Sequence, residues 1–177
     1  IVHLEDVQDE SVLVEHIVRH AGLVFEWKWT STKEGYISAL QTFHPDIVIS
    51  DHSLPGFSSV EAYKLLHEMK MDLPFILFTA TVSEDFAVIM MKQGIADYVL
   101  KDRPQRLPHA IENAIEKWDA ERKNRAFIEK LINSEANLKA LMENSDANIY
   151  SLDRLMRFVT FNSQFKHTVQ GLYGTDL

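Results

Sequence analysis

Four short runs in this chain are almost wholly apolar: "IVHL" at 1–4, "DIVIS" at 46–50, "PFILFT" at 74–79 and "DYVL" at 97–100. A strand sends successive side chains to opposite faces, so a run that is apolar at consecutive positions has to be covered on both. Longer segments with helical spacing lie between the runs: "EDVQDESVLVEHIVRHAG", "KEGYISALQTFHP", "SVEAYKLLHEMK" and "EDFAVIMMKQG". A fifth run, "VFEWKWT" at 24–30, alternates like a half-exposed edge strand. Another helix begins near Leu107. Five strands alternating with five helices predict an α/β fold, a parallel sheet with helices on both faces.

The helix that begins near Leu107 meets no strong breaker until about Glu143. It therefore reads as a domain helix continuing into a connector. Ile128, Leu131, Glu135, Leu138 and Met142 keep a 3-4 spacing along it, a short seam that could pair two such helices. The last 33 residues change character. "IYSLD" and "RFVTFN" read as a strand pair and "SQFKHTV" as a helix, a segment too short for a core of its own. The expected divisions are 1–122, a linker at 123–144, and the beginning of a further module at 145–177.

Composition narrows the function classes. The net charge is −8, and the residues up to Arg122 carry 20 acids against 11 bases. No basic stripe is present, so direct nucleic-acid binding is not expected. No run approaches the roughly 18–20 apolar residues of a bilayer span, and no basic leader precedes an apolar core at the N-terminus. The chain has no cysteine, which excludes disulfides and thiolate metal sites and fits a cytoplasmic setting.

Ligands of open parallel sheets bind outside the carboxyl ends of the strands. Glu5 and Asp6 follow the first apolar strand, Asp51 the next, Thr79 and Ala80 the fourth strand, and Lys101 the fifth. Clustered carboxylate oxygens favour a hard divalent cation such as magnesium, and without one they raise each other's pKa. A carboxylate held beside such an ion can attack phosphorus and become an aspartyl phosphate. A lysine and a hydroxyl can then hold the phosphoryl oxygens.

These residues, in "EDVQDE", "DHSLPGFSS", "FTA" and "GIADYVLK", resemble the receiver domain of two-component response regulators over about residues 1–122. The resemblance implies a flavodoxin-like, doubly wound sheet of order 2-1-3-4-5. It implies Asp51 as phosphoacceptor, with Glu5, Asp6, Asp51 and the backbone carbonyl of Ser53 organising Mg2+. Thr79 would move toward the phosphoryl group as the switch, Tyr98 would swing inward with it, and Lys101 would pair with the phosphate. The donor would be a histidine kinase or a histidine phosphotransfer protein, and the receiver would act as a switch rather than a turnover enzyme. Ser59 departs from the Gly often found at that place, and "KDRP" separates Lys101 from the Pro that usually follows it. Ser53 and Thr81 stand where the family tunes phosphate lifetime.

The segment "ANLKALMENSDANIYSLD", "FVTFN" and "SQF" resembles the beginning of a PAS sensory module, about a third of its length. A histidine kinase or cyclic-dinucleotide output beyond Leu177 fits such an arrangement. Two rivals stand beside this reading. A magnesium-dependent phosphatase of the haloacid-dehalogenase type wants an Asp where Ser53 lies. A receiver-like interaction module that is never phosphorylated would normally have lost an acid or the lysine. His52, next to Asp51, points the opposite way on an extended chain and is not expected to do chemistry. His16 and His20, spaced i and i+4, lack a third zinc ligand. Phe86, Met90 and Met91 read as core, and Trp27 and Trp29 as packed or half-exposed on one strand face.

Overall fold

The computed structural model describes residues 1–80 and 83–174; Thr81 lies outside the described residues. Five parallel strands make one sheet: β1 (Val2–Leu4), β2 (Lys28–Thr30), β3 (Val48–Ser50), β4 (Phe75–Thr79) and β5 (Asp97–Leu100). Their order is β2-β1-β3-β4-β5, so strand order reverses between β1 and β3. Between the strands run α1 (Gln8–His20), α2 (Lys33–Phe43), α3 (Ser59–Glu68) and α4 (Glu84–Gln93), and α5 (Leu107–Glu143) follows β5. The expected doubly wound fold is what the chain adopts.

The all-apolar runs are explained by two cores, one on each face. Val48, Phe75 and Leu77 pack with Tyr36, Leu40, Leu66 and Met90 of α2, α3 and α4. Ile49, Ile76 and Phe78 pack with Val14 and Val18 of α1 and Leu107 and Ile111 of α5. Neighbouring residues of one strand thus serve opposite cores, as the two-residue period requires.

Local signals set the ends. Thr32 caps α2 by accepting from the Gly35 amide at 3.1 Å. Ser58 and Glu61 form a reciprocal capping box at the start of α3. Before it, Pro55-Gly56 turns the chain between two-residue segments, Ser53–Leu54 and Phe57–Ser58, paired antiparallel. Gly56 has φ +70°, as the third position of a type II turn needs.

Two expectations are corrected. Only Lys28–Thr30 of "VFEWKWT" is strand. Its partner β1 is three residues long and pairs Val2 with Lys28, leaving residues 24–27 no ladder to join. Met90 is core but Met91 is exposed, because the two point to different sides of α4.

Contacts divide the chain into Ile1–Glu121 and Arg122–Leu177, a division that falls within α5. The buried residues of α5 are Leu107, Pro108, Ala110, Ile111 and Ala114, all near its start. In the second unit β6 (Tyr150–Leu152) and β7 (Phe158–Phe161) pair antiparallel, and α6 (Ser163–Tyr173) follows. Tyr150, Phe158 and Phe165 pack together, edge-on or tilted, with centroids 4.6–5.6 Å apart. Asn162 is buried. Its carbonyl oxygen accepts from the Ile149 and Phe165 amides and its nitrogen donates to the Met142 and Ala147 carbonyls, so the side chain is fully used.

Candidate functional site

The reversal of strand order between β1 and β3 decides which residues meet. Leu4 and Ser50 are register partners, and the Asp51 amide donates to the Leu4 carbonyl at 2.9 Å. The next residues, Glu5 and Asp51, therefore leave the sheet side by side. Glu5, Asp6 and Asp51 each place one carboxylate oxygen so that all three lie within 4.8 Å of one another. Trp29 helps to hold this edge, donating from Nε1 to the Glu5 carbonyl at 2.7 Å.

Lys101 enters from the end of β5, its amide bonded to the Thr79 carbonyl at 2.9 Å. Its Nζ donates to Glu5 Oε2 at 2.8 Å, Asp51 Oδ2 at 2.8 Å and Glu10 Oε2 at 2.7 Å. Asp51 Oδ1 accepts from the His52 amide at 2.6 Å. Burial raises the pKa of Glu5, and the nearby Asp51 carboxylate adds to that, while Lys101 and the Val7 amide oppose it. Burial also works against the charge on Lys101, but its bonds to Asp51, Glu10 and Glu5 outweigh this and hold its pKa above the ordinary lysine value.

Three converging hard oxygen donors, one of them buried, suit a magnesium-like cation. Ser53, two residues past Asp51, lies in the short antiparallel pair with Ser58. Thr79, at the end of β4, is buried. Tyr98 pairs in register with Leu77, whose side chain faces the α3–α4 core, and is half-buried against that core. Thr79, two residues after Leu77, points to the same side. Thr79 and Tyr98 thus share one face of the sheet.

His52 turns away from the acids. Its Nδ1 is 2.9 Å from Ser59 Oγ and its ring lies 4.4 Å from Phe86. Ser59 is therefore the partner of His52 and fully buried at the start of α3. Asp102 is exposed. His16 and His20 stack at 6.2 Å on α1.

Two features escaped the sequence reading. Glu10 sits in the first turn of α1, where an acid reads as an ordinary helix-start charge. His3 is fully buried on β1. Trp27 Nε1 donates to Ser11 Oγ at 3.2 Å, and that oxygen is 2.9 Å from His3 Nδ1. Burial, with a contribution from Lys101, pushes the His3 pKa down to about 3. No spacing rule links positions 3, 11 and 27.

Comparison with known proteins bears on the family and the fold. The response regulator receiver domain family matches residues 1–112. The regulatory protein LuxO of Vibrio cholerae is 27% identical over 117 residues, covering 63% of this chain and 26% of LuxO. The alkaline phosphatase synthesis transcriptional regulatory protein PhoP of Bacillus subtilis is 25% identical over 115 residues, covering 65% of this chain and 47% of PhoP. The C4-dicarboxylate transport transcriptional regulatory protein DctD of Pseudomonas aeruginosa is 38% identical over 60 residues, covering 34% of this chain and 13% of DctD. The chain thus spans less than half the length of each. Among solved structures, a signal receiver domain from Vibrio parahaemolyticus superposes with TM-score 0.63 at 20% identity, covering 68% of this chain and 92% of that one. A receiver domain protein from Clostridium thermocellum gives 0.59 at 23% identity, covering 67% and 95%. With a family match over residues 1–112 and a sheet of the matching order, this chain belongs to the response regulator receiver domain family.

Proposed function

We propose that Asp51 accepts a phosphoryl group from a phosphohistidine on a histidine kinase or phosphotransfer protein. The observation that carries this is the placement of Asp51 at the sheet reversal, within reach of Lys101 and grouped with Glu5 and Asp6. A receiver domain is a phosphoacceptor signalling domain rather than a turnover enzyme. In the transfer, an Asp51 carboxylate oxygen bonds to phosphorus while the P–N bond to the donor imidazole breaks. The bonding pair leaves with the imidazole nitrogen.

Glu5, Asp6, Asp51 and the Ser53 carbonyl would hold Mg2+, which when bound would offset the negative charge of the phosphoryl oxygens. Lys101 holds Asp51 in place and offers its ammonium to the phosphoryl group. The hydroxyl of Thr79 takes another phosphoryl oxygen, and Tyr98 follows into the space on the face they share. The helix after residue 122 carries this change to the PAS-like segment at 145–177, and the apolar seam of α5 pairs two copies of the chain.

Intact mass after incubation with acetyl phosphate and magnesium tests the acceptor. The wild type gains one phosphoryl group and Asp51→Ala gains none. No gain in the wild type, with magnesium binding confirmed, would favour an interaction module that is not phosphorylated.

A further inference from the structure

Lys101 has its three N–H donors in use. An ammonium group can give three hydrogen bonds, and here each goes to a different carboxylate, on Glu5, Asp51 and Glu10, at 2.7–2.8 Å. A phosphoryl oxygen arriving on Asp51 can bond Lys101 only where one of these acceptors withdraws.

The three differ in what withdrawal costs. The Glu5 side chain is 1% exposed, so releasing it would leave a buried charge without its partner. Asp51, at 13% exposure, carries the incoming group itself. Glu10 is 47% exposed on the first turn of α1, and its carboxylate can return to water at small cost. The Glu10 bond is the exchangeable one.

We propose that Glu10 is a positioning residue that ties down the third N–H of Lys101 in the resting domain and gives it up to the phosphoryl group, so that it restrains phosphorylation. This rests on Asp51 being the acceptor. The restraint has two parts of one sign: Glu10 competes for the donor, and its charge opposes an anionic phosphodonor at the mouth of the site. Glu10→Gln keeps the length of the side chain and removes the charge.

The test compares wild type and Glu10→Gln in two ways. With acetyl phosphate and magnesium, mass spectrometry follows the rate of modification. Glu10→Gln is modified two- to fivefold faster at low salt, the span an exposed ion pair supports. The gap narrows at about 0.5 M salt, where exposed charges are screened; a fold defect would not produce that dependence. In metal-free protein labelled with 15N at lysine, the Lys101 ammonium exchanges its protons with water severalfold faster in Glu10→Gln. Equal or slower modification in Glu10→Gln, or unchanged ammonium exchange, overturns the role of Glu10 while leaving Asp51 in place. Failure of the wild type to be modified removes the acceptor reading and this inference together.

Discussion

At the scale of single residues, the site is a balance between one buried carboxylate, Glu5, the more open acids beside it and one ammonium. Glu5 is acceptable in the interior because Lys101 bonds it, and Lys101 keeps its charge because Asp51, Glu10 and Glu5 surround it. His3, two residues from Glu5, is resolved in the other way: it stays neutral, bonded to Ser11 and packed 5.1 Å from the Trp27 ring. This has a consequence for acid stability. The His3 pKa is down to about 3 in the fold and about 6.5 in the unfolded chain. Between these values the unfolded chain binds a proton that the native state refuses, so stability falls as pH drops through 6.5. At pH 5 this amounts to about 2 kcal/mol. Urea unfolding of the wild type and His3→Leu at pH 7 and pH 5 measures it: the wild type loses about 2 kcal/mol more than the variant on acidification. Glu5 titrates in the opposite sense, but in both proteins, and cancels in the difference. The candidate groups at the strand ends were legible in the sequence because Asp51 and Lys101 each directly follow an apolar run. Glu10 and the His3–Ser11–Trp27 contacts were not, because side-chain reach rather than spacing brings them together.

At the scale of elements, helix ends do much of the positioning. α4 ends at Gly94 with φ +106°, a left-handed conformation that favours glycine. A Cβ there would lie 2.9 Å from Tyr63 Oη, and that hydroxyl donates to the Gln93 carbonyl at 3.0 Å. Gly94→Ala is expected to cost about 1–2 kcal/mol, and less in a Tyr63→Phe background, where the crowded atom is gone. A double-mutant cycle from denaturant unfolding reads the difference. The open part of the α5 seam is shorter than its spacing implies. Ile128, Leu131 and Leu138 are exposed, but Leu138 and Met142 also line a cavity of about 520 Å³ with Val159 and Phe161 of β7. The stretch open to a second helix is therefore Phe127, Ile128, Leu131 and Ile132, all at least 47% exposed. On the proposed pairing of two α5 helices, Leu131→Lys gives a monomer in sedimentation equilibrium where the wild type is a dimer; a wild type that is monomeric at every concentration would refute pairing. The strands show where sequence reading stops. β3 and β4 were legible as buried runs, whereas the length of β2 depends on how far β1 extends beside it.

At the scale of the whole molecule, the chain comprises two contact units that are organised differently. Ile1–Glu121 holds the two cores on either side of a five-stranded sheet. Arg122–Leu177 is held instead by an aromatic cluster and the four bonds of Asn162. The fold of the first unit was legible because its all-apolar runs demand cover on both faces. The second was legible as a hairpin and helix, but the use of Asn162 as the pin between them was not, since an Asn after a strand reads only as a helix cap. No described helix is long and apolar enough to cross a membrane. The acidic excess lies in the residues up to Arg122, which carry the carboxylate edge. The assignment with the widest consequences is the acceptor. It is tested most directly by phosphorylating the chain with acetyl phosphate and magnesium, reducing the acyl phosphate with borohydride, and mapping the modified peptide. The label is expected on Asp51 alone; a label on Glu5 or Asp6, with Asp51 unmodified, would refute the assignment.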